Sequence, residues 1–192
     1  MNANKANKLH FYILSSLFAA LTAAGAFIKI PLPYVPITLQ TFFVLLAGLV
    51  LGPKFGALSQ IIYLTVGLLG VPIFAHGGGP GYILQPTFGY LLGYPIAAFV
   101  IGLLTKRKKI SAKLNSRTFM QFCLSSFVGT IIILVLGATV LYLNLKFVIH
   151  QPISLYTLLV SYFIVFIPGD IVKIFLSSMT SIKLSRVVFV HE

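Results

Sequence analysis

Asp170 and Lys173 are the residues of this chain whose chemistry most needs a reason. They stand three apart in the apolar stretch 154–181, so a helix there carries both on one face. Ionised groups at membrane depth are costly, and they turn inward to meet a ligand, an ion path or each other. Asp170 is the only acid before the terminal Glu192. Pro168-Gly169, just ahead of it, loosens the helix and frees backbone groups there. An ion pair that only fixes helix packing would show the same spacing.

The stretch Phe74-Ala75-His76-Gly77-Gly78-Gly79-Pro80-Gly81-Tyr82 is a second candidate. Consecutive glycines let a backbone approach a ligand closely, and the N–H groups of such loops hold anionic or polar atoms. The Gly-Lys-Ser/Thr ending of a nucleotide-binding loop is missing. No His, Asp or Glu lies near His76 in sequence to complete a metal site, so neither a metal nor another cofactor is expected. A third candidate is a contact surface. Ala19, Ala20, Ala23 and Ala24 form two overlapping small-xxx-small patterns, suited to packing in this protein's own bundle or to docking a separate membrane subunit. The chain has no ATP-binding motif, no paired buried carboxylates and no plausibly placed Ser/His/Asp order, so catalysis is not expected.

The elements that must position these groups are membrane helices. The chain has 192 residues, of which 58% are hydrophobic and 8% charged. No soluble fold of that length hides so much apolar surface, because a small globule still exposes much of its area. Residues 55–105 and 118–145 contain no Asp, Glu, Lys or Arg, and a spanning helix needs about 20 mostly apolar residues. Six spans can be drawn, at about 9–28, 38–51, 55–69, 87–105, 119–145 and 154–181. Pro31, Pro33 and Pro36 make an extended link after the first, and Gly52-Pro53-Lys54 a tight turn after the second. The expected fold is an all-α bundle of six transmembrane helices forming one membrane domain over 1–192.

Fourteen Lys and Arg against two Asp and Glu give +12, but the basic residues lie between apolar runs, so nucleic acid is not the expected partner. With the N-terminus inside, one side receives Lys5, Lys8, Lys54, Lys106, Arg107, Lys108, Lys109, Lys113, Arg117, Lys183 and Arg186, and the other only Lys29 and Lys146. By the positive-inside rule both termini are cytoplasmic, in a multi-pass protein of the cell (plasma) membrane. The basic run 106–117 serves topology and lipid headgroup contact. Ala24-Gly25-Ala26 looks like a signal cleavage site, yet the apolar run before it is long enough to read as a retained helix. Cys123, the only cysteine, excludes a disulfide scaffold and reads as a small buried hydrophobe.

Val35-Pro36-Ile37-Thr38-Leu39-Gln40-Thr41, followed by Leu51-Gly52-Pro53-Lys54-Phe55-Gly56-Ala57-Leu58-Ser59, closely resembles the BioY family. The likeness continues through Gly70-Val71-Pro72-Ile73-Phe74-Ala75, Pro86-Thr87-Phe88-Gly89-Tyr90-Leu91-Leu92-Gly93 and Ile167-Pro168-Gly169-Asp170-Ile171-Val172-Lys173. The blocks keep the family's order from about Ala19 to Lys173. The resemblance implies a six-helix subunit of an energy-coupling-factor transporter that captures biotin from outside. Such subunits work with a transmembrane coupling protein and a pair of ATP-binding cassette ATPases.

The resemblance also implies that Asp170 and Lys173 meet the ligand and that the alanine pattern faces the coupling protein. Lys173 is expected to hold the biotin carboxylate and Asp170 the ureido N–H groups. The loop amides around Gly77 and Gly78, with Gln40, Phe74, His76, Tyr82, Thr87 and Tyr90, complete the expected lining. Phe88 and Gln85 stand where the family commonly has glycine, and His76 and Pro80 alter the usual glycine-rich loop. Two other functions fit the residues alone: a proton-coupled carrier using Asp170, and a membrane enzyme acting on lipid or isoprenoid substrates.

Overall fold

The computed structural model describes residues 3–105, 116–151, 154–162 and 164–188. The expected headgroup contacts of Lys106 to Lys113 lie outside the described residues. Six α-helices, a two-stranded hairpin and two short 3₁₀ turns make up the described chain. Five helical segments are long and apolar enough to cross a bilayer.

Helix α1 (Ala3–Phe27) ends where the prolines begin. Strands β1 (Lys29–Ile30) and β2 (Ile37–Thr38) pair antiparallel, Lys29 with Thr38, and enclose the proline segment. Close approach at Gly25 brings this link against α1: an added Cβ would lie 3.0 Å from the Gln40 nitrogen.

Helix α2 (Gln40–Leu68) holds both the second and third expected spans, and it is not straight. Gly52 lies at φ 74, ψ −172, a conformation that favours glycine, and Pro53 follows it at the start of a fresh turn. A Cβ on Gly56 would sit 3.0 Å from the Ala47 carbonyl oxygen. Residues nine apart in a continuous helix lie about 13 Å apart along the axis, so the two arms of α2 fold back on each other.

Helix α3 (Phe88–Thr105) packs on both sides through glycines. Gly48 meets the Ala98 carbonyl, Gly102 meets Pro53, and Gly89 and Gly93 meet Val140 and Ile133 of α4 (Ser116–Phe147). Small residues at these crossings let backbones approach closely, which is how helices pack tightly where lipid offers no hydrophobic drive. Buried hydroxyls bond back to the helix carbonyls four residues earlier, as Thr22 does to Phe18 and Thr130 to Ser126. Gln60 Nε2 donates to Thr22 Oγ1 at 3.3 Å and Ser15 Oγ to the Phe55 carbonyl at 3.1 Å, tying α1 to the second arm of α2.

The last expected span is not one helix. It divides into α5 (Leu155–Tyr162), a 3₁₀ turn over Ile164–Phe166 and α6 (Ile167–Val188). Pro168 is tolerated because the first turn of a helix has no use for its missing N–H. Asp170 therefore lies in the first turn of α6, where the helix dipole favours a negative charge, rather than in mid-helix.

Candidate ligand-binding cavity

A cavity of about 530 Å³, counting its open mouth, lies between the starts of α2, α3 and α6 and the middle of α4. Thr38, Gln40 and Thr41 line it from β2 and α2, Tyr90 and Tyr94 from α3, and Asp170 and Lys173 from α6. Tyr90 and Tyr94 share a helix face at i,i+4. Ile133, Leu134 and Phe166 make much of the remaining wall apolar.

The charged centre is an ion pair. Lys173 Nζ donates to Asp170 Oδ1 at 3.0 Å and to Thr41 Oγ1 at 2.9 Å. Asp170 is 5% exposed and Lys173 8%. Among the described residues this is the only salt bridge between side chains. Burying both charges is tolerable because each neutralises the other.

Gln40 is fixed at both ends of its amide. Its Oε1 accepts from Thr38 Oγ1 at 3.0 Å, and its Nε2 donates to the Tyr63 hydroxyl. Tyr63 passes the chain on to the Ile73 carbonyl at 3.2 Å. Thr87 donates to the Tyr82 hydroxyl at 2.9 Å, and Tyr90 to the Tyr162 carbonyl at 3.2 Å. Tyr90 also stacks on Phe166, with ring centres 6.0 Å apart. Burial pushes the Tyr82 phenol above its ordinary value, so it serves as a neutral donor and acceptor.

The structure gathers Gln40, Tyr82, Thr87, Tyr90, Asp170 and Lys173 around one space. Phe74 stands behind that wall, 2% exposed, its ring centre 4.6 Å from that of Tyr82. The glycine-rich loop reaches the cavity through Ala75. The Gly77 N–H donates to the Phe74 carbonyl at 3.2 Å and its carbonyl accepts from the Phe74 N–H at 2.8 Å, so the loop closes on itself. A Cβ on Gly78 would lie 2.2 Å from the Val71 carbonyl oxygen, which makes this glycine a packing requirement. Lys29 Nζ donates to the Ala75 carbonyl at 2.5 Å and pins the loop to the hairpin. Partial burial and then the charge of Lys29 hold the neighbouring His76 imidazole below its ordinary value.

Sequence reasoning had not singled out Thr41, Tyr94, Thr130 or Phe166 as lining. Tyr94 was within reach, four residues after Tyr90, and Thr41 adjoins Gln40. Thr130 carries no distinguishing signal among the hydroxyl residues of α4. The alanine pattern divides: Ala19 is buried and Ala23 half-buried against the main core, whereas Ala20 and Ala24 are exposed. Among the described residues no three His, Cys, Asp or Glu gather as a metal site.

The sequence and the fold of the chain are similar to those of known proteins. The model of the BioY family matches residues 1–189. A probable biotin transporter from Lysinibacillus sphaericus is 48% identical over 70% of this chain, a stretch that spans 65% of the relative. A biotin transporter from Thermotoga maritima is 36% identical, covering 91% of this chain and 95% of its own. A crystal structure of the S-component for biotin from an ECF-type ABC transporter superposes with a TM-score of 0.80 at 30% identity, over 97% of this chain and 95% of that one. By sequence along nearly its whole length and by fold, the chain belongs to the BioY family.

Proposed function

We propose that this chain is the biotin-binding membrane subunit of an energy-coupling-factor transporter, taking biotin from outside and releasing it inside when an ATP-driven module engages. The observation that carries the proposal is the buried Asp170–Lys173 pair opening onto a largely apolar cavity. Biotin is an apolar ring and tail with two polar ends, and a mostly apolar pocket with a few fixed polar groups suits it. Gln40, Tyr82, Thr87 and Tyr90, held by their own hydrogen bonds, supply the fixed groups. Phe74, His76, Gly77 and Gly78 support the wall from behind. The relatives are named as transporters, not enzymes.

The two arms of α2 act as separate crossings, giving six in all, with both termini cytoplasmic. The sign of the flanking charge supports this direction. Ala20 and Ala24, open on the outer face of α1, form the surface for a coupling protein, which works with a pair of ATPases. Cysteines placed at Gly81, where an added side chain meets open space, and at Lys109 test the direction: only the first should react with an impermeant reagent outside. Purified chain should retain radiolabelled biotin and return it unchanged. Conversion of the ligand would identify an enzyme. Uptake by the isolated chain in vesicles with a pH gradient and no ATP would identify an autonomous carrier on Asp170.

A further inference from the structure

Asn144 stands outside the cavity, yet it holds part of the wall. It lies near the end of α4, ten residues and about 15 Å along the helix beyond Leu134, the last cavity residue of that helix. Its Nδ2 donates to the Leu84 carbonyl at 2.6 Å, across 60 residues of sequence. Leu84 ends the 3₁₀ turn Pro80–Leu84, which carries Tyr82. The geometry points to Asn144 as a positioning residue for ligand binding, a role that rests on the biotin reading above. It clamps this turn, so that Tyr82 and Thr87 keep their places in the wall.

The far end of the turn has little else to hold it. Its start is anchored, because the Gly79 N–H donates to the Gly67 carbonyl of α2 at 2.7 Å. Ile83, Leu84 and Gln85 are exposed, the two apolar side chains by 50% and 62%, so they contribute little packing. So short a turn also ends in carbonyls without partners inside it. Asn144 serves one of them from a rigid base. Its neighbours Leu141 and Leu145 are fully buried, and its own carbonyl accepts from the Val148 and Ile149 N–H groups at 2.9 and 3.0 Å. Backbone bonds carry the clamp onward: the Gln85 N–H donates to the Tyr82 carbonyl at 2.9 Å, and the Phe88 N–H to the Gln85 carbonyl at 3.0 Å. Tyr82 and Thr87 therefore flank the clamped residue, and they bond to each other.

The other half of the amide argues against a role in packing alone. Asn144 is 5% exposed, and its Oδ1 is buried with no partner among the described residues. An orphaned buried oxygen is costly, and a leucine of similar size would fill the space without it. What asparagine adds over leucine is an N–H donor, and that donor goes to the turn.

The test uses the full chain in detergent and the variant Asn144→Leu. Biotin affinity should fall about tenfold, the equivalent of one hydrogen bond, while the melting temperature holds or rises because the orphaned oxygen is gone. Hydrogen exchange without ligand should quicken over residues 80–88 and stay slow along α4. In a Tyr82→Phe background, which already lacks the bond to Thr87, Asn144→Leu should weaken binding less than it does in the wild type. Unchanged affinity, or exchange that quickens along α4 together with the turn, makes Asn144 a packing residue and overturns the proposal. Losses that simply multiply in the double variant overturn it too. Where Asn144→Leu does not fold, the wild type decides: biotin should slow exchange over residues 80–88, and no slowing refutes the clamp. A wild type that binds no biotin overturns the biotin reading instead, and the ligand-free exchange comparison still tests the clamp.

Discussion

Lys173→Met should cost this protein more stability than any loss of packing explains. The methionine fills similar space, but it strands the Asp170 carboxylate at 5% exposure without its cation. Removing one partner of a buried pair typically costs about 3–5 kcal/mol, because the remaining charge stays desolvated. Asp170→Asn strands an ammonium still held by Thr41 and should cost less. The double variant, Asp170→Asn with Lys173→Met, carries no buried charge and should lose less than the two single losses added together. The coupling expected of residues in direct contact is about 0.5–3 kcal/mol. Thermal unfolding in detergent can be followed through the reactivity of Cys123, a free half-buried thiol on α4. If the two single losses simply add, or if Lys173→Met melts with the wild type, the ion pair does not neutralise itself as described.

Two further outcomes follow from the same geometry. His76 should titrate below an ordinary imidazole, so the neutral ring is favoured in the fold. Its contribution to stability is therefore complete above the unfolded-state value and is lost as pH falls through the folded one. Lys29→Gln should move the His76 titration, followed by NMR, back toward the ordinary value; no movement would place Lys29 elsewhere. Ala20→Leu puts bulk on the exposed face of α1, away from the cavity, so biotin binding should persist while copurification with a coupling protein is lost. Retained copurification would remove that face as the docking surface.

Much of the fold was legible because charge is scarce. Runs without Asp, Glu, Lys or Arg marked the apolar stretches, and Gly52-Pro53 marked the reversal within α2, since few other pairs permit that backbone. The break between α5 and α6 was only half legible. Pro168-Gly169 announced a weakness, but the helix starts one residue before the proline, at Ile167, and leaves Asp170 in the first turn. Inner faces were hidden for a physical reason. A helix in lipid is apolar all round, so periodicity does not separate Ala19, which is buried, from Ala20, which is exposed. The same limit hid Thr130 on the cavity wall among the other hydroxyls of α4. The loop was opaque in another way. Its glycines suggested amides free for a ligand, yet which carbonyl the Gly77 N–H finds depends on the closed turn with Phe74, not on composition.

Calorimetric titration of the purified chain with biotin tests the proposed function most directly. The expected result is saturable binding at one site, displaced by excess desthiobiotin, which keeps the ureido ring and the carboxylate, with the ligand recovered unchanged. Absence of saturable heat from correctly folded protein, or binding that desthiobiotin cannot displace, would contradict it.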